Sequence, residues 1–225
     1  TTLTSTTRAY ADTTGVLVTT GALTLLAESA FDVDTTANAT PSVNPSNNGF
    51  AVAVNFTQII DEAFIGGSPT ITAATASIRT GGGSTLSALS QSGAAGLTEA
   101  NAGINAGSLA LNTNIPSAGP IQGNLSHAFI ASGAVVAFTA PTDLEIAAQN
   151  TTVTDVSAEP QGAASIAVEL GAGRSVALNV SAYTTSATID AGASLSGVRN
   201  LDVTADGDQT QRVTALAGSL AGVDA

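Results

Sequence analysis

The sequence predicts an all-β protein, a parallel β-helix of about ten coils built from repeats of roughly 60 residues. Three observations predict it. The run Val52-Ala53-Val54-Asn55 returns as Leu109-Ala110-Leu111-Asn112 and as Val176-Ala177-Leu178-Asn179, with the Asn recurring 57 and then 67 residues on. A second landmark, Ala9-Tyr10-Ala11, returns as Ala63-Phe64-Ile65, Ala128-Phe129-Ile130 and Ala187-Thr188-Ile189. Between landmarks, short apolar/polar alternations are punctuated by Gly, Asn and Asp, which is strand and turn chemistry. A motif returning at a near-constant step marks a repeat architecture.

In chain order, residues 1–8 are Thr-rich and read as the tail of a preceding repeat. Four repeats follow at 9–62, 63–127, 128–186 and, in part, 187–225, as one segment spanning 1–225. In the first, Val16-Leu17-Val18 and Leu23-Thr24-Leu25 are short strands turned at Gly15 and Gly21. Phe31-Asp32-Val33-Asp34 alternates with the two-residue period of a half-buried strand. Asn38 to Gly49, with Pro41 and Pro45, is a loop. In the second, Thr70-Ile71-Thr72 and Ser77-Ile78-Arg79 are strands, and Gly81-Gly82-Gly83 is a turn. Relative to the other copies this repeat carries an insertion of eight residues, placed at Ile115 to Gln122. In the third, Asp143-Leu144-Glu145-Ile146 and Thr152 to Val156 alternate. In the fourth, Asn200 to Thr204 does so most clearly. Gly93 to Ala110 is Ala-rich, but glycines at 93, 96, 103 and 107 argue against a helix, since each costs about 1 kcal/mol relative to Ala.

Stacked in parallel, Leu17, Ile71, Val136 and Leu195 face inward as an apolar column, and Ala53, Ala110 and Ala177 suit a thin core. Asn55, Asn112 and Asn179 at a turn form hydrogen-bonded amide contacts, interrupted by the roughly three coils that separate successive copies. A tandem of β-sandwiches of about 60 residues each is the competing architecture; it calls for stronger aromatic anchors.

Composition bounds function. The net charge is −12, all five basic residues are Arg, and Lys, Cys and Met are absent. Such a chain is not expected to bind nucleic acid phosphates or an anionic membrane surface. No apolar run is long enough to span a membrane. The missing initiator Met suggests a chain that starts within a longer polypeptide or after a processing site.

No catalytic, cofactor-binding or metal site is predicted. His127 is the only His and reads as structural. Asp202, Asp206 and Asp208 around Gly207 offer oxygens of the kind Ca²⁺ takes, but their spacing favours a solvated turn. Asp32 with Asp34, and Asp61 with Glu62, are carboxylate pairs of the sort a glycosidase uses; exposed acidic decoration is the simpler reading. A Gly-x-Ser-x-Gly elbow is absent, and a Walker P-loop is impossible without Lys. Asn-x-Ser/Thr sequons sit at Asn38, Asn55, Asn124, Asn150 and Asn179; in so Thr- and Ser-rich a chain several arise by chance, and glycans at Asn55 and Asn179 would be sterically awkward.

Phe50-Ala51-Val52-Ala53-Val54-Asn55, then Ala63-Phe64-Ile65-Gly66-Gly67-Ser68 and Ile71-Thr72-Ala73, resemble the repeats of giant bacterial surface proteins, the filamentous-haemagglutinin-like and leukotoxin-like filamentous adhesins. Ser175 to Asn179 and Ala187 to Ala193 follow the same order. The resemblance implies a secreted or surface-displayed β-helical shaft, without catalysis and without active residues to carry over. The expected partners are neighbouring repeats of a longer chain, identical subunits stacked end to end, or a host or partner-cell surface. The alternatives are a carbohydrate-binding or polysaccharide-degrading β-helix, which needs a groove of acids, Arg and aromatics, and a self-assembling fibre or surface-layer subunit.

Overall fold

The computed structural model describes residues 1–39, 48–92, 105–113, 123–160 and 172–216. These residues form twelve strands, and no helix occurs among them. The strands are β1 (Thr2–Thr13), β2 (Val16–Val18), β3 (Ala22–Ala39), β4 (Asn48–Gly67), β5 (Thr70–Thr72) and β6 (Thr75–Ser92), followed by β7 (Asn105–Thr113), β8 (Asn124–Ile130), β9 (Val135–Pro160), β10 (Ala172–Val180), β11 (Tyr183–Ile189) and β12 (Ser194–Ala215). They build two six-stranded sheets. Sheet A has the order β10-β7-β4-β8-β11, with β1 also on β4; sheet B has the order β2-β5-β9-β6-β3, with β12 also on β9. The pairings are parallel, which excludes the tandem of antiparallel sandwiches. The sheets pack face to face: Ser29 Oγ in β3 donates to Asp61 in β4 at 2.7 Å, and Ser90 Oγ in β6 donates to the Ala51 carbonyl in β4 at 2.8 Å.

The two landmarks stand in register. Ala9, Ala63, Ala128 and Ala187 are aligned on neighbouring strands. So are Asn55, Asn112 and Asn179. Residues 54 apart are therefore hydrogen-bonded neighbours in β1 and β4, and residues 68 apart are neighbours in β6 and β9. Successive repeats are adjacent layers, about 4.8 Å apart. This is compatible with a parallel β-helix, but it corrects the expected ten coils. One repeat makes one broad layer, and its strands run to 20 or 26 residues instead of four to six. It likewise removes the expected gap of three coils between copies of the motif.

Other expectations shift in the same way. Gly81-Gly82-Gly83 lies inside β6, not in a turn, and pairs with Glu28, Ser29 and Ala30. Asn55 lies mid-strand in β4. Leu17 is paired with Ile71 and Leu195 with Val136, but Ile71 is opposite Phe138, so the predicted column slips by two residues between the second and third layers. Leu23/Leu25, Ala76/Ile78, Leu144/Ile146 and Leu201/Val203 do align; Ala76 fills the place that looked blurred in the second repeat. The insertion at 115–122 lies outside the described residues, as do residues 40–47 of the proline-bearing loop.

At one end of each layer the chain turns from sheet A to sheet B. Ala134 N–H donates to the Ala131 carbonyl, and Ala193 N–H donates to the Asp190 carbonyl, both at 3.1 Å. The third residue of each turn, Gly133 or Gly192, has φ of 71° or 77°, a left-handed conformation that glycine adopts without steric cost. Next to this turn lies the larger apolar core, where Ile65, Ile71, Ile78, Ile130, Val136 and Ile146 are fully buried. A second, smaller cluster of Ala53, Ala88, Ala110, Val156 and Ala158 lies further along the strands.

Candidate functional surfaces

Alternation decides which side chains enter the interior. In β4, Ala51, Ala53, Asn55, Thr57, Ile59, Asp61, Ala63 and Ile65 are buried, so the even-numbered residues face outward. The inward column between the two apolar clusters is polar. Asn55 and Asn112 are fully buried. Asn112 Nδ2 donates to Asn179 Oδ1 at 2.9 Å, while Asn55 Nδ2 crosses to the Ser87 carbonyl in sheet B at 2.5 Å. Thr80 and Ser126 share a hydrogen bond at 2.8 Å, and Ser126 Oγ also lies 2.8 Å from the Gln149 carbonyl. Thr154 meets the Tyr183 hydroxyl at 3.1 Å.

Asp61 sits in this seam, 3% exposed. This corrects its reading as surface decoration. Its neighbour Glu62 does face outward and pairs with Arg8 Nε at 2.5 Å. One Asp61 oxygen accepts from Ser29; Oδ1 has no hydrogen-bond partner among the described residues. Burial raises its pKa above the ordinary 3.8, against the hydroxyls of Ser29 and Thr7, and the Glu28 carboxylate adds to the rise. Gly82 lies opposite. A Cβ there would come within 2.9 Å of the Ser29 carbonyl oxygen on the adjacent strand and 3.0 Å of Asp61 Oδ2 across the interior, so glycine leaves room for the Asp61 carboxylate. Thr57 Oγ1, Asn112 Oδ1, Asn124 Nδ2 and Thr185 Oγ1 also lack partners among the described residues, which makes the seam the least satisfied part of the described interior. The odd-residue rule in β4 was the signal in the sequence: once Ala53 points inward, so does Asp61.

The outer faces differ sharply in charge. Sheet B turns Glu28, Asp32 and Asp34 outward from β3, and Asp202, Asp206 and Asp208 from β12. The last three lie mid-strand and exposed, not in a turn. Asp143 on β9 binds Arg199 through Nε at 2.8 Å and Nη2 at 2.5 Å, and accepts from Asn200 Nδ2 at 2.8 Å. The Arg199 hydrogen bond and then Asn200 hold its carboxyl below the usual range. A shallow groove here is lined by Ser77, Asp143, Glu145, Asn200 and Asp202.

Sheet A, among the described residues of its strands, turns only Asp12 and Glu62 outward as carboxylates. Over residues 50–56 of β4 and their partners on β7 and β10, its outer face is apolar instead. Val52, Leu109 and Val176 form one outward row, and Val54, Leu111 and Leu178 form the next; Phe50 and Phe56 flank them, 67% and 48% exposed. The motif that organises the sequence thus buries its Ala and Asn and displays its larger aliphatics. Farther along, Tyr10, Phe64 and Phe129 stack with centroids 5.2 Å and 4.9 Å apart and rings nearly parallel. His127 stacks on Phe129 at 4.1 Å, and its Nε2 lies 2.9 Å from Thr188 Oγ1. Partial burial lowers its pKa, opposed by Asp190 and Glu62.

This arrangement bears on the candidate chemistry. Phe64 and Phe129 spend their ring faces on stacked neighbours, whereas Tyr10, Phe50 and Phe56 are 59%, 67% and 48% exposed. Asp61 and Glu62 point to opposite sides of one strand, so they do not flank a common bond. Asn55 and Asn124 are buried at 0% and 2% exposure, beyond the reach of glycosylation in the folded chain, whereas Asn38 is exposed. No group of three or more His, Cys, Asp or Glu positioned to hold a metal occurs among the described residues, and no described helix is long and apolar enough to cross a membrane. A scan against protein-family models found no match, and searches of curated proteins and of solved structures found none.

Proposed function

We propose that the chain is a β-solenoid segment that serves as a structural shaft or adhesive stalk of a large extracellular, filamentous surface protein, without catalysis. The observation that carries this reading is the identity of what recurs. The residues held in register across the layers are Ala9/Ala63/Ala128/Ala187 and Asn55/Asn112/Asn179, which pack and hydrogen-bond; none is a nucleophile, a general base or a paired acid. Parallel layers that contact only their neighbours add length at a fixed increment, and rigid reach is what such an architecture supplies. Edge strands at both ends suit continuation into further repeats or into an identical subunit. The high acidic charge favours a solvated surface. The test is electron microscopy of the chain with its flanking repeats, together with epitope labelling of intact cells that express it. A rod that lengthens by about 4.8 Å for each added repeat, with the epitope accessible from outside, supports the reading. A globular particle, or an epitope accessible only after lysis, overturns it.

A further inference from the structure

We infer that the outer face of sheet A is a lateral interface, on which a second copy of this chain docks face to face. Three observations lead there. The two rows Val52/Leu109/Val176 and Val54/Leu111/Leu178 lie in register on adjacent strands, so they form one continuous apolar surface and not scattered exposed residues. Val52, Val176 and Leu178 are 43%, 56% and 48% exposed. Charge decides the orientation of the partner. In a chain of net charge −12, two copies meeting through sheet B would bring the outward carboxylates of β3 and β12 together. Meeting through sheet A places those faces on the far sides; of the two outward carboxylates on the contact face, Glu62 is already paired with Arg8 and Asp12 lies at the far end of β1 from the apolar rows. Size is sufficient. The 20 residues of β4 at about 3.3 Å each, crossed by three or four strands about 4.8 Å apart, give a face of roughly 1,000 Å². A stable pair needs about 800 Å² from each partner.

The contact does not depend on where the protein is displayed, and it differs from end-to-end stacking, which uses strand edges. Sedimentation equilibrium of the full 225-residue chain tests it. The expected result is a monomer–dimer equilibrium that tightens when salt rises from about 0.05 to 0.5 M, because screening weakens the repulsion between the two acidic bodies. Val52→Glu with Val176→Glu should weaken dimerisation at least tenfold, while Val153→Glu, on the outer face of sheet B, should leave it unchanged. Circular dichroism checks folding. If the double Glu variant unfolds, Val52→Thr with Val176→Thr keeps the β-branched shape and should weaken the dimer in the same direction. A monomer at every concentration to about 100 µM overturns the inference. So does association that the folded sheet A variants leave intact, which would assign the contact to the strand edges or to sheet B.

Discussion

Replacing Asp61 with Asn should stabilise the protein at neutral pH, although it removes a hydrogen-bonded residue from the interior. Asp61 is 3% exposed, its Oδ1 lacks a partner among the described residues, and burial with the nearby Glu28 carboxylate outweighs the Ser29 and Thr7 hydroxyls. Leaving a buried acceptor unsatisfied costs about 1–3 kcal/mol, more when it is charged. Asn keeps the acceptor for Ser29 Oγ, now 2.7 Å away, and removes the charge, but its amide brings a donor that also wants a partner. The net gain is therefore about 1–2 kcal/mol, or a rise in Tm of about 2–8 °C for a chain of this size. The pH dependence follows from the sign of the shift. The folded pKa is raised above 3.8, so the protonated form is favoured by folding. Its stabilisation is complete below the unfolded pKa and is lost as pH rises through the folded value. The advantage of Asp61→Asn should thus be largest near pH 7 and vanish on acidification to about pH 3. Urea denaturation of both proteins across that range measures it. An Asn variant less stable than the parent at pH 7 by more than about 1 kcal/mol would refute the reasoning, because it would mean the carboxylate has a compensating partner in solution.

Other expectations follow from the interior and from the register shift that β12 makes against β9 around Gly197. Ile146 is fully buried in the larger core, so Ile146→Ala should cost about 2–5 kcal/mol in urea denaturation, whereas the outward Val153→Ala should cost far less. Asn112→Ala loses the bond to Asn179, whose amide keeps Ser181 and Gln211, for about 0.5–1.5 kcal/mol by the same assay. Gly197 has φ of 73°, and a Cβ there would lie 2.3 Å from the Phe138 carbonyl oxygen; Gly197→Ala should lower stability by about 1–3 kcal/mol, seen as a reduced Tm. Asp143→Asn breaks the solvent-accessible pair with Arg199, and its Tm should match the parent's, since solvent already screens such pairs.

The sequence shows the repeat and the alternation because both are local. Ala9, Ala63, Ala128 and Ala187 share a recognisable local pattern, and they stand in register on neighbouring strands. The number of residues in a layer was not legible. Gly15, Gly21 and Gly81-Gly82-Gly83 look alike as punctuation. Yet the first two lie at the end of a layer, while the last three sit within an 18-residue strand, held there by neighbours 53 residues away. Long-range pairing overrides local turn preference at those glycines. The sidedness of the motif was half legible. Small Ala53 suits a thin interior, but with apolar residues on both sides of the strand nothing local reveals that Val52 and Val54 face out. Asp61 was misplaced for a related reason. Adjacent carboxylates must point to opposite sides, and a preference for charge at the surface hides which one enters.

The claim beneath this account is that one repeat makes one layer. Thr72 and Thr139, with hydroxyls 2.8 Å apart on neighbouring strands, test it most directly, because the chain has no cysteine of its own. Thr72→Cys with Thr139→Cys should close an intramolecular disulfide on mild oxidation, seen as a mobility shift that reductant reverses. If three shorter coils separated successive repeats, these positions would lie about 14 Å apart at 4.8 Å per coil, and two free thiols under the same oxidation would contradict the account.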